Sequence, residues 1–503
     1  MASTRAWVVL GDFNVLLSVQ DKNGPTVNIN NILRFREVVQ EMGLVDLPIL
    51  NRSFTWSNGR GVPTLERLDR VFISNAWVLV FPRFESYWLR HQAVLEVVTQ
   101  AWNSSVPEAD PVKLFSRKLE SVQVALRLWS AGLSLASKEQ AKRCLLWIEW
   151  LDRAEERRLL SIPEYILRPK LKARYEELCL QEEIKWKQRS RIQWLKVGDA
   201  KTKFFHQKVK ARRNKNFISR LSNGSTTLSS PEPIAEHLFS FFRNQLGVQH
   251  VPSVDINLQA LYEDEQVDLS SLHAPFTLAE VRTIVFSSAL EKAPGPDGLP
   301  MIFYQHFWSL LKDDIMGVFN SFYTGTTNFD RVNTGWLCLI PKKKEAFSAN
   351  DFRPISLVHS VAKLISKVLA SRLQLFLGGL INPHQAAFIK GRHIIDNFFC
   401  AHILIHHLHT TKHRAAFLKI DFERAFDRVN WSFLLDLLQA RGFSPRWNSW
   451  IRTLLHTASM SVILNGTPGN SFSYFYRALP LPGYCRILES IMLGCTLYNL
   501  RTT

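Results

Sequence analysis

The chain is poor in cysteine, and the few cysteines it has are scattered. Its six cysteines include no Cys-x-x-Cys pair, and none has a histidine at zinc-finger spacing. This pattern argues against a disulfide-stabilised secreted domain and against a structural zinc site. We therefore expect a protein of a reducing compartment, either the nucleus or the cytoplasm.

Long hydrophobic runs are also missing. No apolar segment is long enough to cross a bilayer, and no early segment combines the charged, apolar and cleavage regions of a signal peptide. We expect a protein that is not secreted and has no membrane partner. The hydrophobic fraction of 46% nevertheless predicts sizeable cores, and 503 residues suffice for two or three domains.

Acidic residues are outnumbered and almost disappear late in the sequence. Against 62 Lys and Arg stand 44 Asp and Glu, which gives a net charge of +18 and a pI near 9.7. Such an excess indicates a polyanionic partner, first RNA or DNA and second an anionic membrane surface. Beyond Asp436 the sequence has no Asp, and Glu489 is its only acid.

Over half of the basic excess lies in residues 182–221, where thirteen Lys and Arg face three acids. Aromatic residues, among them Trp186, Trp194, Phe204 and Phe205, are interleaved. Phosphate contacts from such residues give salt-sensitive binding that does not depend on sequence. The alternative is an amphipathic helix with solvated charges and its aromatic residues in the core. We favour nucleic-acid binding, and the predicted contacts are Lys187, Arg189, Arg191, Lys201, Lys203, Lys208, Lys210, Arg212 and Arg213.

Three short motifs stand near the start of the chain: Gly11-Asp12-Phe13-Asn14, Ser53 to Asn58, and Arg67 to Ser74. Each alone is an ordinary turn or strand. In this order they resemble the C-terminal half of the exonuclease–endonuclease–phosphatase α/β sandwich used by LINE endonucleases. The resemblance implies metal-assisted phosphodiester hydrolysis, in which Asp12 and Asn14 position water and phosphate. It implies that Asp69 orients a histidine base.

This sequence departs from the endonuclease pattern in two places. The metal-binding Glu of the family and its Ser-Asp-His motif have no counterpart here. A small deletion near Pro82 would explain the second loss. We therefore expect residues 1–82 to be a remnant that does not cut DNA.

The later motifs are a Lys292 to Pro300 turn, Phe352 to Leu357, Gln385 to Arg392, and Phe417 to Asp427. Together they resemble the reverse transcriptase of plant LINE-type (non-LTR) retrotransposons. The resemblance implies that Arg353 meets nucleotide phosphates, for which a forked cation is suited. It also implies that Asp421 binds Mg²⁺ in a two-metal site and that Phe426 screens out ribose. Alone, Asp421 would read as a helix N-cap.

The polymerase resemblance ends near Tyr474, before the Asp-Asp hairpin that completes such a site. We expect an RNA-directed DNA polymerase domain that is catalytically incomplete. The alternatives are a non-enzymatic nucleic-acid-binding protein and the untranslated reading frame of a decayed element. Protein partners and oligomeric state stay open.

The expected architecture is a multidomain α+β protein. It has a partial sandwich, a helical basic linker, and incomplete fingers and palm. The predicted segments are residues 1–82, the endonuclease remnant; 83–230, the basic linker; 231–274, a connection; 275–474, the reverse transcriptase domain; and 475–503, an unrelated tail from a frameshift.

Overall fold

The structure is a computed structural model that forms two compact units. The first contains residues 1–105 and 118–213, and the second contains residues 106–117 and 214–503. The structure describes residues 8–24, 26–42, 44–46, 53–61, 63–74, 84–104, 108–131, 133–192, 194–195, 202–246, 257–262, 267–381, 385–386, 389, 391–416 and 430–473.

The first unit opens with a small antiparallel sheet and one helix. Its elements are β1 (Val8–Asp12), α1 (Ile29–Glu41), β2 (Leu44–Asp46), β3 (Trp56–Ser57), β4 (Leu65–Glu66) and β5 (Asp69–Ser74). β5 lies between β1 and β2, and β3 and β4 form a separate pair. Phe13, Phe35 and Phe72 meet edge to face or tilted, with ring centroids 5.0–5.8 Å apart, and join α1 to the sheet.

Long helices follow. They are α2 (Ala93–Asn103), α3 (Pro111–Ser130), α4 (Leu133–Glu155), α5 (Ile162–Ser190) and α6 (Thr202–Asn216). α4 packs against α5. The start of α5 is fixed by a capping box, in which Ser161 N donates to Glu164 Oε2 at 2.8 Å. Arg168 pairs with Glu155 at 2.6 Å and ties the two helices together near their connection.

The second unit combines one larger sheet with further helices. After the β6 (Leu221–Ser222) and β7 (Thr227–Leu228) hairpin come α7 (Pro231–Leu246), α8 (Leu258–Tyr262), α9 (Leu278–Ser287), α10 (Met301–His306), α11 (Trp308–Thr324), β8 (Thr334–Pro341), β9 (Phe352–Val358), α12 (Ser360–Leu373), α13 (Leu377–Leu380), α14 (Ile394–Thr410), α15 (Trp431–Ala440), α16 (Pro445–His456), β10 (Ser459–Leu464) and β11 (Thr467–Ser473).

The strand order of this sheet is β11-β10-β8-β9. β8 pairs with β9 antiparallel and with β10 parallel. Asn333 sets the register at the start of the parallel pair: its side chain donates to Leu454 O at 2.7 Å, and its carbonyl accepts from Ser459 N at 3.1 Å. α7 covers one face of the sheet with a stripe of buried side chains at four-residue spacing, namely Ile234, Leu238, Phe242 and Leu246.

A two-residue turn joins β10 to β11. Asn465 and Gly466 have φ values of 51° and 102°, and Leu464 pairs with Thr467 across the turn. Positive φ at both central residues defines the type I′ hairpin turn, which Asn-Gly favours. The Asn465 amide also accepts from Ile218 N and donates to Ile218 O, both at 2.8 Å. The turn therefore fastens the segment that follows α6.

The mixed α/β architecture is confirmed. The helical periodicity of residues 307–322 and 363–373 agrees with α11 and α12. The Ser-rich stretch after 221 contains the short β6–β7 hairpin. The assignment of sandwich, fingers and palm, and the predicted domain boundaries, stay predictions.

Asn465→Gly should destabilise the second unit. Glycine keeps the turn conformation but removes both bonds to Ile218, whose half-buried backbone groups would lose their partners, at a cost of about 1–3 kcal/mol. Asn465→Asp retains the acceptor alone and should cost less. Urea unfolding measures the difference, with Asn470→Gly on the same hairpin as control. An equal loss from Asn470→Gly would contradict the role of the amide.

Candidate functional site

Two of the residues predicted for phosphodiester hydrolysis face each other. Asp12 ends β1 and Asp69 begins β5, and the two are direct cross-strand partners. Both side chains are exposed. Asn14 takes a left-handed conformation with φ 51°, and its N–H donates to Asp12 Oδ1 at 2.9 Å. The three residues are therefore gathered at one end of the sheet.

Thr55, from the middle motif, links the other two motifs. Its hydroxyl accepts from Leu68 N and from Asp69 N, each at 3.0 Å. Phe13 N in turn donates to Leu68 O at 3.1 Å. The three motifs singled out from the sequence thus meet through the Thr55 hydroxyl and the backbone of the other two motifs.

A buried ion network that the sequence analysis missed stands behind this end of the sheet. The Arg70 side chain is fully buried and pairs with Asp21 and with Asp46, the latter at 2.7 Å. Arg67 also reaches Asp46 at 2.9 Å. Burial raises the pKa of Asp46, and the two arginines oppose that shift. Two arginines three residues apart, Arg67 and Arg70, are usually exposed. The sequence alone therefore could not reveal this buried network.

The carboxylates found here do not complete a metal centre. Within the described ranges, no group of three or more His, Cys, Asp or Glu is placed to hold a metal ion. Asp12 and Asp69 form only a pair, and like charges directly opposite each other on a sheet are unfavourable. We therefore derive no metal-dependent step from this part of the structure.

The Pro/Gly turn before the polymerase-like motifs is part of the fold. Gly298 N donates to Gly295 O at 3.0 Å and closes the turn. Asp297 is buried, and its Oδ2 accepts from Tyr304 OH and from Ser360 N, both at 3.1 Å. Asp297 therefore binds the first turn of α12, a contact across 63 residues of sequence.

Gly295 is needed because the turn lies against the end of β9. A Cβ at this position would come within 2.3 Å of Val358 O and 2.7 Å of His359 N. The next residue of the junction, His359, is buried, and its Nδ1 accepts from Val361 N at 3.3 Å as the N-cap of α12. Burial lowers the pKa of His359, although nearby Asp297 opposes the shift.

Arg353, the predicted phosphate ligand, lies on β9 opposite Ile340. Its side chain is exposed on the sheet face opposite the one that α7 covers. Among the residues that the structure describes, no carboxylate pairs with it. The guanidinium is thus accessible to an anion. Asp421 and Phe426, the predicted metal ligand and sugar gate, lie outside the described residues.

The basic residues at the end of α5 are held within the fold. Arg189 Nε donates to Glu85 Oε1 at 2.7 Å, and its guanidinium lies over the Trp186 ring at 5.4 Å. Lys185 is 7% exposed and lies over the Tyr87 ring. Burial lowers the pKa of Lys185 and raises the pKa of Tyr87 to about 12. Lys187 and Arg191 are half-buried. Lys185 and Arg189 therefore already have partners within the fold, and the binding role predicted for Lys187, Arg189 and Arg191 stays a prediction.

α6 differs, because it presents its cations to solvent. It contains six Lys and Arg and no acid, and all six are exposed. They are Lys203, Lys208, Lys210, Arg212, Arg213 and Lys215. Buried Phe205 anchors the helix, and Trp186 meets His206 with ring centroids 4.3 Å apart. Lys208 and Arg212 are neighbours on successive turns and repel each other, which a bound polyanion would relieve. Lys201 lies outside the described residues.

In the part of the chain that the structure describes, no helix is both long and apolar enough to cross a membrane.

Comparison with known protein families places a polymerase domain in the second unit. Residues 340–481 match the family described as reverse transcriptase (RNA-dependent DNA polymerase). The matched range contains Arg353, Asp421 and Phe426.

Proteins of transposable elements align with the chain. It is 27% identical over 507 residues to the Transposon TX1 uncharacterized 149 kDa protein of Xenopus laevis. This alignment covers 92% of this chain and 39% of that protein. It is 25% identical over 177 residues to the Pol polyprotein of element R1 from Bradysia coprophila, covering 34% of this chain and 17% of that protein. It is 23% identical over 184 residues to the R2DM polyprotein of Drosophila melanogaster, and this alignment covers 37% of this chain and 17% of that protein.

The chain thus spans well under half the length of these relatives. It has a reverse transcriptase domain and is related to the polyproteins of non-LTR retrotransposons.

His359→Asn should make the second unit less sensitive to acid. The pKa of His359 is lowered in the folded protein, so below its ordinary value of about 6.5 the unfolded chain takes up a proton that the folded chain refuses. The contribution of neutral His359 to the free energy of unfolding is therefore fully present above that pH, and it is lost as the pH falls below it. Asn can accept the same N-cap bond.

Thermal unfolding above and below pH 6.5 measures this effect. The wild type should lose more stability on acidification than His359→Asn, whereas exposed His306→Asn should behave as wild type. Equal acid sensitivity of wild type and His359→Asn would contradict the assignment.

Proposed function

We propose that this chain is a nucleic-acid-binding protein of a LINE-type retrotransposon, in which a reverse transcriptase domain is joined to a basic helix. The observation that carries the proposal is α6, whose six exposed cations have no acid on their own helix. RNA and DNA suit this surface because each nucleotide presents a phosphate, and phosphate contacts need no particular base.

For polymerisation, we propose roles for three residues. Arg353 would bind the phosphates of the incoming nucleotide. Asp421 would bind a divalent metal ion, which we propose to be Mg²⁺. Phe426 would exclude nucleotides whose sugar is ribose. The exposed guanidinium of Arg353, which pairs with no carboxylate among the described residues, supports its part. A two-metal site needs further carboxylates, and the sequence after Asp436 contains no Asp. The chain is therefore proposed to bind template and primer without extending the primer.

For the front of the chain, we propose a remnant of an endonuclease site made of Asp12, Asn14 and Asp69. Their gathering at one end of the β1–β5 pair supports a common origin for the three motifs. The Ser-Asp-His motif, which supplies the family's general base, has no counterpart in residues 75–91. We propose that this remnant does not cleave DNA.

Neutralising α6 should weaken nucleic-acid binding and its dependence on salt. Each phosphate contact contributes about 0.9 to the slope of log K against log salt on duplex DNA, so the triple change Lys208→Gln, Lys210→Gln, Arg212→Gln should lower that slope by roughly 2–3. Fluorescence anisotropy of a labelled duplex over a salt series measures both quantities.

A matched control removes three exposed cations from α4 instead, namely Lys138, Lys142 and Arg143. The net charge changes equally, so bulk attraction falls equally in both variants. If the control weakened binding as much as the α6 variant, the assignment of the surface to α6 would be wrong.

Purified protein given an RNA template, an annealed DNA primer, deoxynucleotides and Mg²⁺ should bind the hybrid and leave the primer unextended. A gel resolves the primer length, and a parallel gel shift confirms binding. Primer extension that is lost in Asp421→Asn would contradict the proposed incompleteness. It would also establish Asp421 as a working metal ligand.

A further inference from the structure

An apolar groove lies between the first half of α7 and the β10–β11 hairpin. Its volume is about 440 Å³, within the range of small-molecule sites. Phe217, Phe239 and Pro468 form its walls, and Val462 and Leu464 line it from β10. Such a lining suits a flat apolar group rather than a phosphate or a sugar.

Phe217 presents an exposed ring from a backbone that is fixed at the next residue. Its side chain is 56% exposed, yet the next residue, Ile218, is fixed by both hydrogen bonds from the Asn465 amide. On the opposite wall, Phe239 packs edge to face on Phe472 with ring centroids 5.8 Å apart. The ring of Phe239 and the backbone beside Phe217 are therefore in position before any ligand arrives, which lowers the entropy cost of binding.

Polar groups stand at the rim of the groove. Thr467 and Asn470 line it and are exposed, so a hydroxyl and an amide can offer both donors and acceptors. A nucleobase has apolar faces and a polar edge, and this combination of aromatic walls and polar rim matches it.

Charge next to the groove favours a nucleic-acid strand. Lys215 precedes Phe217 by two residues and Arg220 follows it by three, and both are exposed. Two residues of chain span at most about 7 Å, roughly the distance from a base to the phosphates of its own nucleotide. Glu232 is the one acid among the groove's lining residues. The thirty residues before it, from Thr202 to Pro231, contain no Asp or Glu.

We propose that the groove binds an unpaired nucleobase of a single-stranded nucleic acid, while Lys215 and Arg220 contact the flanking phosphates. The proposal deepens the proposed function and rests on it. A duplex keeps its bases paired and stacked, so it cannot place one in the groove without distortion. The groove therefore confers a preference for single strands that the cations of α6 alone would not.

Phe217→Ala tests the groove with a labelled oligouridine and a duplex of equal length. The affinity for oligouridine should fall about tenfold, the size of one lost base–aromatic stack. The affinity for the duplex should not change. Phe217→Trp should restore oligouridine binding, because indole offers a larger stacking face. Phe286→Ala, which removes another exposed ring of the same unit, is the control and should change neither affinity.

Crosslinking supplies a second measurement that needs no variant. A single strand carrying 4-thiouridine, irradiated on the wild-type protein, should attach to residues lining the groove. Crosslinks confined to other parts of the chain would overturn the proposal. So would a Phe217→Ala effect of equal size on oligouridine and duplex, or no effect on either.

These failures differ from failure of the proposed function. If Phe217→Ala leaves oligouridine binding intact while the α6 variant loses it, the groove is wrong and the nucleic-acid surface stands. If wild type binds neither probe, the proposed function itself fails.

Discussion

Parallel pairing of β8 with β10 is the constraint on which the second unit depends. Parallel neighbours cannot be joined by a tight turn, so the chain between them must cross over the sheet. That crossover carries β9 with Arg353, the buried start of α12, and the stretch that contains Asp421. Asn333, directly before β8, fixes the register where the chain enters β10 at Ser459. The positions of β9 and α12 in the described part of the chain follow from this one pairing.

Basic residues in a single stretch of sequence take two different roles in the structure. At the end of α5 they meet Glu85, Trp186 and Tyr87 and have little freedom left for a ligand. On α6, a few residues later, they meet solvent. Desolvating a cation is costly unless a partner is present, so those already paired within the fold are poor candidates for phosphate binding. The exposed cations of α6 are therefore the stronger candidates for the proposed interface, and the predicted contacts on α5 stay predictions.

The sequence predicted local features well and distant partnerships poorly. α11 and α12 follow from helical periodicity, because that pattern is written within one segment. The bonds of Asn465 to Ile218 span 247 residues, and those of Asp297 to Ser360 span 63. No local rule reveals that a turn residue will pair with a distant backbone. Asp12 and Asp69 were grouped only through a family resemblance, and the cross-strand register then brought them face to face.

The position of β8 inside the sheet also bears on how the protein is made. β9 follows β8 within the crossover and can cover one edge of it soon after synthesis, but β10 begins only at Ser459. Until then the other edge of β8 is an unpaired row of backbone donors and acceptors, open to any other strand. Long-range parallel closure is also slow. A nascent chain of this protein would therefore depend on chaperones, or on slow translation, to avoid aggregation on the ribosome.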